Sequence, residues 1–193
     1  MKSFAILAIS LAAAGLAGCS KADPPLPSEV APAESSNAAE TVEATEIADV
    51  AAMAADPRLV VVHKTESCGC CHLWVEHLKE NGFKVTVRDV VDLGGIKERV
   101  GVPYGMGSCH TARVGGYFIE GHVPAADIVR LLDERPDAKG LTVPGMPLGS
   151  PGMEVASGQT QPYDVHLVAR DGSTSVFTHH GDGPAATTGE STP

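Results

Sequence analysis

The chain has 193 residues, 43% of them hydrophobic, and a formal net charge of −10. That length and apolar content suffice for one modest core domain. The acidic balance excludes a nucleic-acid binder, which needs a basic face.

In chain order, Lys2 supplies a short positive start and residues 4–18 form an apolar run too short to span a bilayer. The run ends Leu16-Ala17-Gly18-Cys19, which resembles a bacterial lipobox. The expectation is a lipoprotein signal peptide over residues 1–18 and a diacylated Cys19 that anchors the mature chain to a membrane, inner or outer. Each buried lipid CH₂ contributes about 0.8 kcal/mol to that anchoring. A plain secretory signal with an incidental cysteine is the alternative, and either exports the chain.

Residues 19–57 are rich in Ala, Pro, Glu and Ser, lack aromatics, and set eight acidic residues against Lys21 alone. This composition reads as an acidic, disordered, self-repelling linker that tethers the domain, with residues 40–55 able to form helix intermittently. Residues 181–193 are low in apolar side chains and read as a disordered tail.

The folded domain is expected over residues 58–180. "RLVVVHKT" is a β-branched strand, and the segment after it repeats Leu73, Trp74, His77 and Leu78 at helical spacing before the Asn81-Gly82 stop signal. "FKVTVRDV" alternates with period two and is a second strand. A short helix near residues 95–100 leads to "GVPYGMGSCHT". "ARVGGYFIEGHVP" then gives a strand, a glycine turn and a strand end. "PAADIVRLLDERP" is an amphipathic helix with Pro124 near its start, and "GLTVPGMPLGSPGMEV" reads as a Pro/Gly-rich loop. "YDVHLVARDGSTSVFTHH" closes the domain as a hairpin around Asp171-Gly172. This order predicts an α/β, thioredoxin-like sandwich with a C-terminal β-hairpin, preceded by the disordered tether. In such a fold the loop before the third strand packs on the first strand-to-helix turn. Cys109 therefore belongs beside the cysteines of that turn.

Those cysteines are the chemical signal. "SCGCCH" places Cys68, Cys70 and Cys71 within four residues at a helix start, where unpaired N–H groups and the helix dipole favour thiolate. Cys68 and Cys71 have the C-x-x-C spacing of a dithiol, but Cys70 is then surplus and invites disulfide scrambling. Structural zinc normally takes two cysteine pairs from different sides, a poor match for three ligands from one turn. Cu(I) is soft, accepts two or three ligands, and lets thiolates bridge, which suits a triplet plus Cys109. Met106, Met146 and Met153 offer thioether sulfurs and His110 an imidazole for the same site. His72 could reach it or point to solvent. His122 reads as a turn histidine, His77 as a helix-face histidine, Trp74 as core, and His63 is ambiguous. His179-His180 is an edge pair or an accessory metal site.

The segments "KTESCGCCHLWVEHLKENGF", "GVPYGMGSCHTARVGGYFIEGHVPAADIVRLL" and "GLTVPGMPLGSPGME" together resemble the bacterial CopG copper-resistance family over roughly residues 59–180. The resemblance implies a thioredoxin-like fold in the periplasm and a cysteine-bridged copper cluster at Cys68, Cys70, Cys71 and Cys109. It also implies a role in copper handling that includes interconversion of Cu(I) and Cu(II). The expected partners are copper ions, a membrane through the N-terminal lipid, and copper efflux or chaperone proteins. The competing expectations are a thiol–disulfide oxidoreductase and a structural zinc module.

Overall fold

The computed structural model describes residues 35–182, with side chains described from residue 44. The expected signal peptide, Cys19 and most of the C-terminal tail lie outside the described residues. The elements run α1 (Ser35–Ala55), β1 (Leu59–Lys64), α2 (Gly69–Glu80), β2 (Lys84–Asp89), α3 (Gly94–Val100), β3 (His110–Val114), β4 (Tyr117–Glu120), α4 (Ala125–Glu134), β5 (Ala138–Thr142), β6 (Tyr163–Ala169) and β7 (Thr174–His180). The seven strands form one mixed sheet in the order β2-β1-β3-β4-β5-β6-β7. β1 pairs with β2 and β4 with β5 in parallel, and the other neighbours are antiparallel.

The parallel β1–α2–β2 unit follows from the sequence pattern. β1 is a Val run with Val60, Val61 and Val62 fully buried, as a central strand requires. α2 buries Cys71, Trp74, Val75 and Leu78, which recur every three or four residues and face the sheet. Leu73 departs from the expected apolar stripe and is 54% exposed. Trp74 has no exposed surface, and its indole N–H donates to the Val123 carbonyl at 2.8 Å. The indole thereby joins α2 to the end of the β3–β4 hairpin. Truncation of so large a buried ring costs about 3–5 kcal/mol. α4 packs Ile128 and Leu131 into the same core.

β5 takes in residues 140–142, which were expected as loop. Its segment, Ala-Lys-Gly-Leu-Thr, lacks the alternating apolar pattern of a half-buried strand. The reason lies in packing: a Cβ at Gly140 would stand 2.0 Å from the Phe118 carbonyl oxygen of neighbouring β4. Only glycine lets the two backbones pair there, so the residue that weakens the strand pattern is the one that permits the strand. The rest of the expected loop, residues 143–155, is irregular. The C-terminal hairpin forms as expected, β6 against β7, with a bulge between Val165 and His166.

The acidic segment, expected as a disordered tether up to residue 57 with intermittent helix over residues 40–55, forms a continuous helix from residue 35. α1 extends through Ala55, and its described side chains touch the domain along one line. Asp49 accepts two hydrogen bonds from Arg88, Met53 is buried, and Asp56 pairs with Lys84 at 2.7 Å. Self-repulsion of the acidic residues is relieved by cations on β2, a compensation that the segment's own composition does not contain. Among the described residues, no helix is long and apolar enough to cross a membrane.

Candidate metal centre

Cys68 caps the N-terminus of α2 with extended backbone geometry and no side-chain cap bond, so its sulfur is free for other chemistry. It is joined by a disulfide to Cys71, three residues along and fully buried. Gly69 is not needed for space, since a Cβ there meets nothing within 4 Å. Cys70 stays a free thiol, 3.6 Å from the Cys68 sulfur.

The topological expectation for Cys109 holds. Its backbone lies just before β3, next to β1, and its sulfur is 4.0 Å from that of Cys70. Its carbonyl oxygen is 3.6 Å from the Cys71 sulfur. All four cysteine sulfurs lie within 4.8 Å of one another. Met146 brings its thioether sulfur to 4.0 Å from Cys70. Its loop rests directly on the first turns of α2: a Cβ at Gly152 would meet the Trp74 amide nitrogen at 2.7 Å and the Cys70 carbonyl at 2.9 Å. Met106 and Met153 are held through their backbones. The Met106 carbonyl accepts from the Thr142 hydroxyl, and Met153 exchanges hydrogen bonds with Gly149 and Ser150.

Two imidazoles extend the cluster. Cys109 Sγ is 3.4 Å from His110 Nδ1 and 3.1 Å from His122 Nε2, and the three form a second group able to hold a metal ion. Both histidines are fully buried. His110 stacks on Trp74 at 4.3 Å and meets His122 edge-on at 5.1 Å. His122 Nδ1 lies 2.8 Å from the Pro151 carbonyl, which can only accept, so Nδ1 carries the proton and the Nε2 lone pair faces Cys109. Burial pushes the pKa of His110 well below the ordinary value, helped by His122 and Lys97, and burial also lowers that of His122. Neutral imidazoles are the form that ligates metals. The Cys109 thiol moves the other way, up to about 11, through burial and the neighbouring Cys70. Metal-free Cys109 is therefore a protonated thiol.

His122 is the residue that reading the sequence as a turn passed over. The signal was available in the hairpin. The Gly115-Gly116 turn sets the pairs Val114↔Tyr117 through Thr111↔Glu120. Two more steps along that register put Cys109 opposite His122.

The remaining histidines lie elsewhere. His72 is exposed on α2. His77 Nε2 accepts the Ala125 N–H at 3.1 Å and so caps α4. His63 faces the acidic residues of α1, with Asp49 and Glu46 near it. His179 and His180 are partnered by Asp164 and Asp127, each at 2.6 Å, within β7 and not at a disordered edge.

The donor set is soft: four cysteine sulfurs, one thioether and two neutral imidazoles. The comparisons with known proteins agree with it. Two solved structures, "Copper resistance protein copG", forms 1 and 2, are each 50% identical to this chain, with a TM-score of 0.61. They align with 65% and 64% of this chain and with 98% of their own length. The chain belongs to the CopG copper-resistance family. A family model described as "Protein of unknown function, DUF411" matches residues 106–153, the stretch from Met106 through Cys109 and His122 to Met153. Among curated proteins, none matches. The aligned share leaves out about a third of this chain.

Proposed function

We propose that this protein binds copper at a thiol-centred, multinuclear site and serves copper resistance from the periplasm, held to a membrane through lipid on Cys19. The proposed organisation is a signal peptide over residues 1–18, an exported acidic segment over residues 19–57, a thioredoxin-like copper-binding domain over residues 58–180 and a tail over residues 181–193. Copper is the cargo. The observation that carries the reading is the convergence of Cys68, Cys70, Cys71 and Cys109 within 4.8 Å, with Met146 beside Cys70 and two imidazoles beside Cys109. Bridging thiolates let such a set hold more than one Cu(I), which takes two or three soft ligands per ion.

The Cys68–Cys71 disulfide adds a redox step to the same reading. Two Cu(II) ions can take one electron each from the reduced Cys68/Cys71 pair. The products are two Cu(I), one disulfide and two released protons. A thiol reductant returns the pair to the dithiol, and the resulting thiolates ligate Cu(I). Reduction of Cu(II) to Cu(I) thus needs no residue beyond the cluster. Cys70 and Cys109 stay available as ligands in the disulfide state.

Anaerobic titration of the reduced protein with Cu(I) tests the proposal. More than one equivalent per chain is expected, and uptake of one or none ends the multinuclear reading. The disulfide favours a second reading, a thiol–disulfide oxidoreductase with the Cys68/Cys71 pair as its active dithiol. Cys70→Ser separates the two. A dithiol enzyme keeps disulfide exchange with a model substrate, whereas a copper cluster loses metal.

A further inference from the structure

Glu120 ends β4 with no exposed surface, and none of the copper chemistry above uses it. Its Oε1 accepts the Ser108 N–H at 2.5 Å and forms an ion pair with Lys97 of α3. Its Oε2 accepts from the Thr111 hydroxyl at 2.7 Å, and Lys97 Nζ donates to that same hydroxyl at 3.0 Å. Two contacts of this carboxylate, Ser108 and Thr111, thus flank Cys109 in the chain, and the third is Lys97 of α3. Ser108 passes the constraint on. Its hydroxyl donates to the Gly145 carbonyl, one residue before Met146, and the Glu120 carbonyl accepts from Val143 N–H at the start of that loop. The buried side chain therefore ties α3 to the Cys109 loop, and the Ser108 hydroxyl and the Glu120 backbone carbonyl extend the tie to the Met146 loop.

Stability alone does not account for it. A buried ion pair is often replaceable by apolar residues without loss, because desolvation offsets the attraction. What apolar residues cannot do is hold a backbone N–H at a fixed point. There is also a charge argument. Lys97 is near enough to act electrostatically on His110, so without Glu120 its cation would face the site that receives copper ions.

We infer that Glu120 is a positioning residue of the thiol centre: paired with Lys97, it pins Ser108 so that Cys109 Sγ is held toward Cys70 and His122, and it neutralises the cation behind them. The copper part of this inference rests on the function proposed above. The positional part does not.

The test uses the full chain. In the metal-free protein with its disulfide intact, Cys70 and Cys109 are the free thiols of the centre. Their iodoacetamide labelling rates can be read separately by peptide mapping. Glu120→Gln should speed Cys109 labelling about tenfold, the effect of weakening one charge-assisted hydrogen bond, with Cys70 little changed. Cu(I) competition with a chromophoric chelator should show affinity lowered by a similar factor. The double variant Lys97→Met/Glu120→Gln removes both charges but keeps an amide oxygen for Ser108, and should recover most of the affinity. It also gives the readout if Glu120→Gln alone fails to fold. Unchanged Cys109 labelling, or equal acceleration at both thiols, overturns the positioning role. A double variant that binds no better than Glu120→Gln overturns the charge role. If the unmodified chain takes no copper, the copper reading falls, and the labelling ratio still decides whether Glu120 positions Cys109.

Discussion

At the residue scale, the centre is defined by the protonation states that burial imposes. Cys109 is a thiol with its pKa near 11, so a metal must displace its proton. Copper affinity should therefore rise with pH across the neutral range, by about tenfold per unit for each proton released. Competition titrations at several pH values measure the slope. A flat profile would mean that Cys109 does not ligate as thiolate. Across the same range His110 and His122 stay neutral, because burial has moved their titration to lower pH, so they oppose metal only in more acidic solution. His72, next to the triplet in sequence, and His122, next to Cys109 in space, should differ in effect. His122→Ala removes an oriented Nε2 lone pair 3.1 Å from Cys109 and should cost about ten- to a hundredfold in Cu(I) affinity. His72→Ala, on the exposed face of α2, should leave affinity nearly unchanged. Equal losses would show that proximity in sequence, not the hairpin register, selects the ligand.

At the scale of elements, the site is built where three secondary structures end. The start of α2 supplies Cys68, Cys70 and Cys71, the run into β3 supplies Cys109 and His110, and the exit from β4 supplies His122. Much of this was legible. The Val run of β1, the helical spacing of α2 and the Gly115-Gly116 turn each state their structure locally, and together they bring Cys109 to the triplet. His122 was legible too, once the hairpin is counted outward from its turn. β5 was not, because Gly140 answers to Phe118 on another strand and to nothing in its own segment. The role of His77 was equally hidden, since its partner Ala125 is remote in sequence. His77 accepts the Ala125 N–H only when neutral, and burial lowers its pKa in the folded state. The unfolded chain then binds the proton more readily. This contribution to stability is full above the unfolded value of about 6.5 and is lost as pH falls through the window below it. Urea unfolding of the metal-free protein at pH 7.5 and pH 5.5 should show lower stability in acid. His77→Gln retains an acceptor that does not titrate and should flatten that dependence. An equally steep fall in His77→Gln would assign the effect to the other buried histidines.

At the scale of the whole molecule, charge decides how the acidic segment meets the domain. The chain carries ten more negative than positive charges, yet α1 is not simply repelled. Glu46 lies 3.9 Å from Arg99 and 3.7 Å from Arg113, Asp49 is bound twice by Arg88, and Asp56 pairs with Lys84. Among the described residues of α1, Met53 alone buries a large apolar side chain, while Ile47 and Val50 stay exposed, at 65% and 45%. A helix held mainly by ion pairs, with so little apolar burial, should be released by salt more readily than any part of the core. The exposed Lys84–Asp56 pair contributes little, and the partly buried Asp49–Arg88 contact about 1 kcal/mol. Raising salt to about 1 M shortens the screening length to about 3 Å and should weaken all of these contacts together. Amide hydrogen exchange over residues 46–55 should then accelerate, while β1 and β3 keep their protection. Asp49→Asn should reproduce the effect at low salt, with exchange about fivefold faster, the factor equivalent to about 1 kcal/mol. Copper uptake should be unaltered, because none of the described residues of α1 belongs to the thiol centre. Exchange over residues 46–55 that responds to neither salt nor Asp49→Asn would show that Met53 and helix propensity hold α1 in place, with the ion pairs incidental.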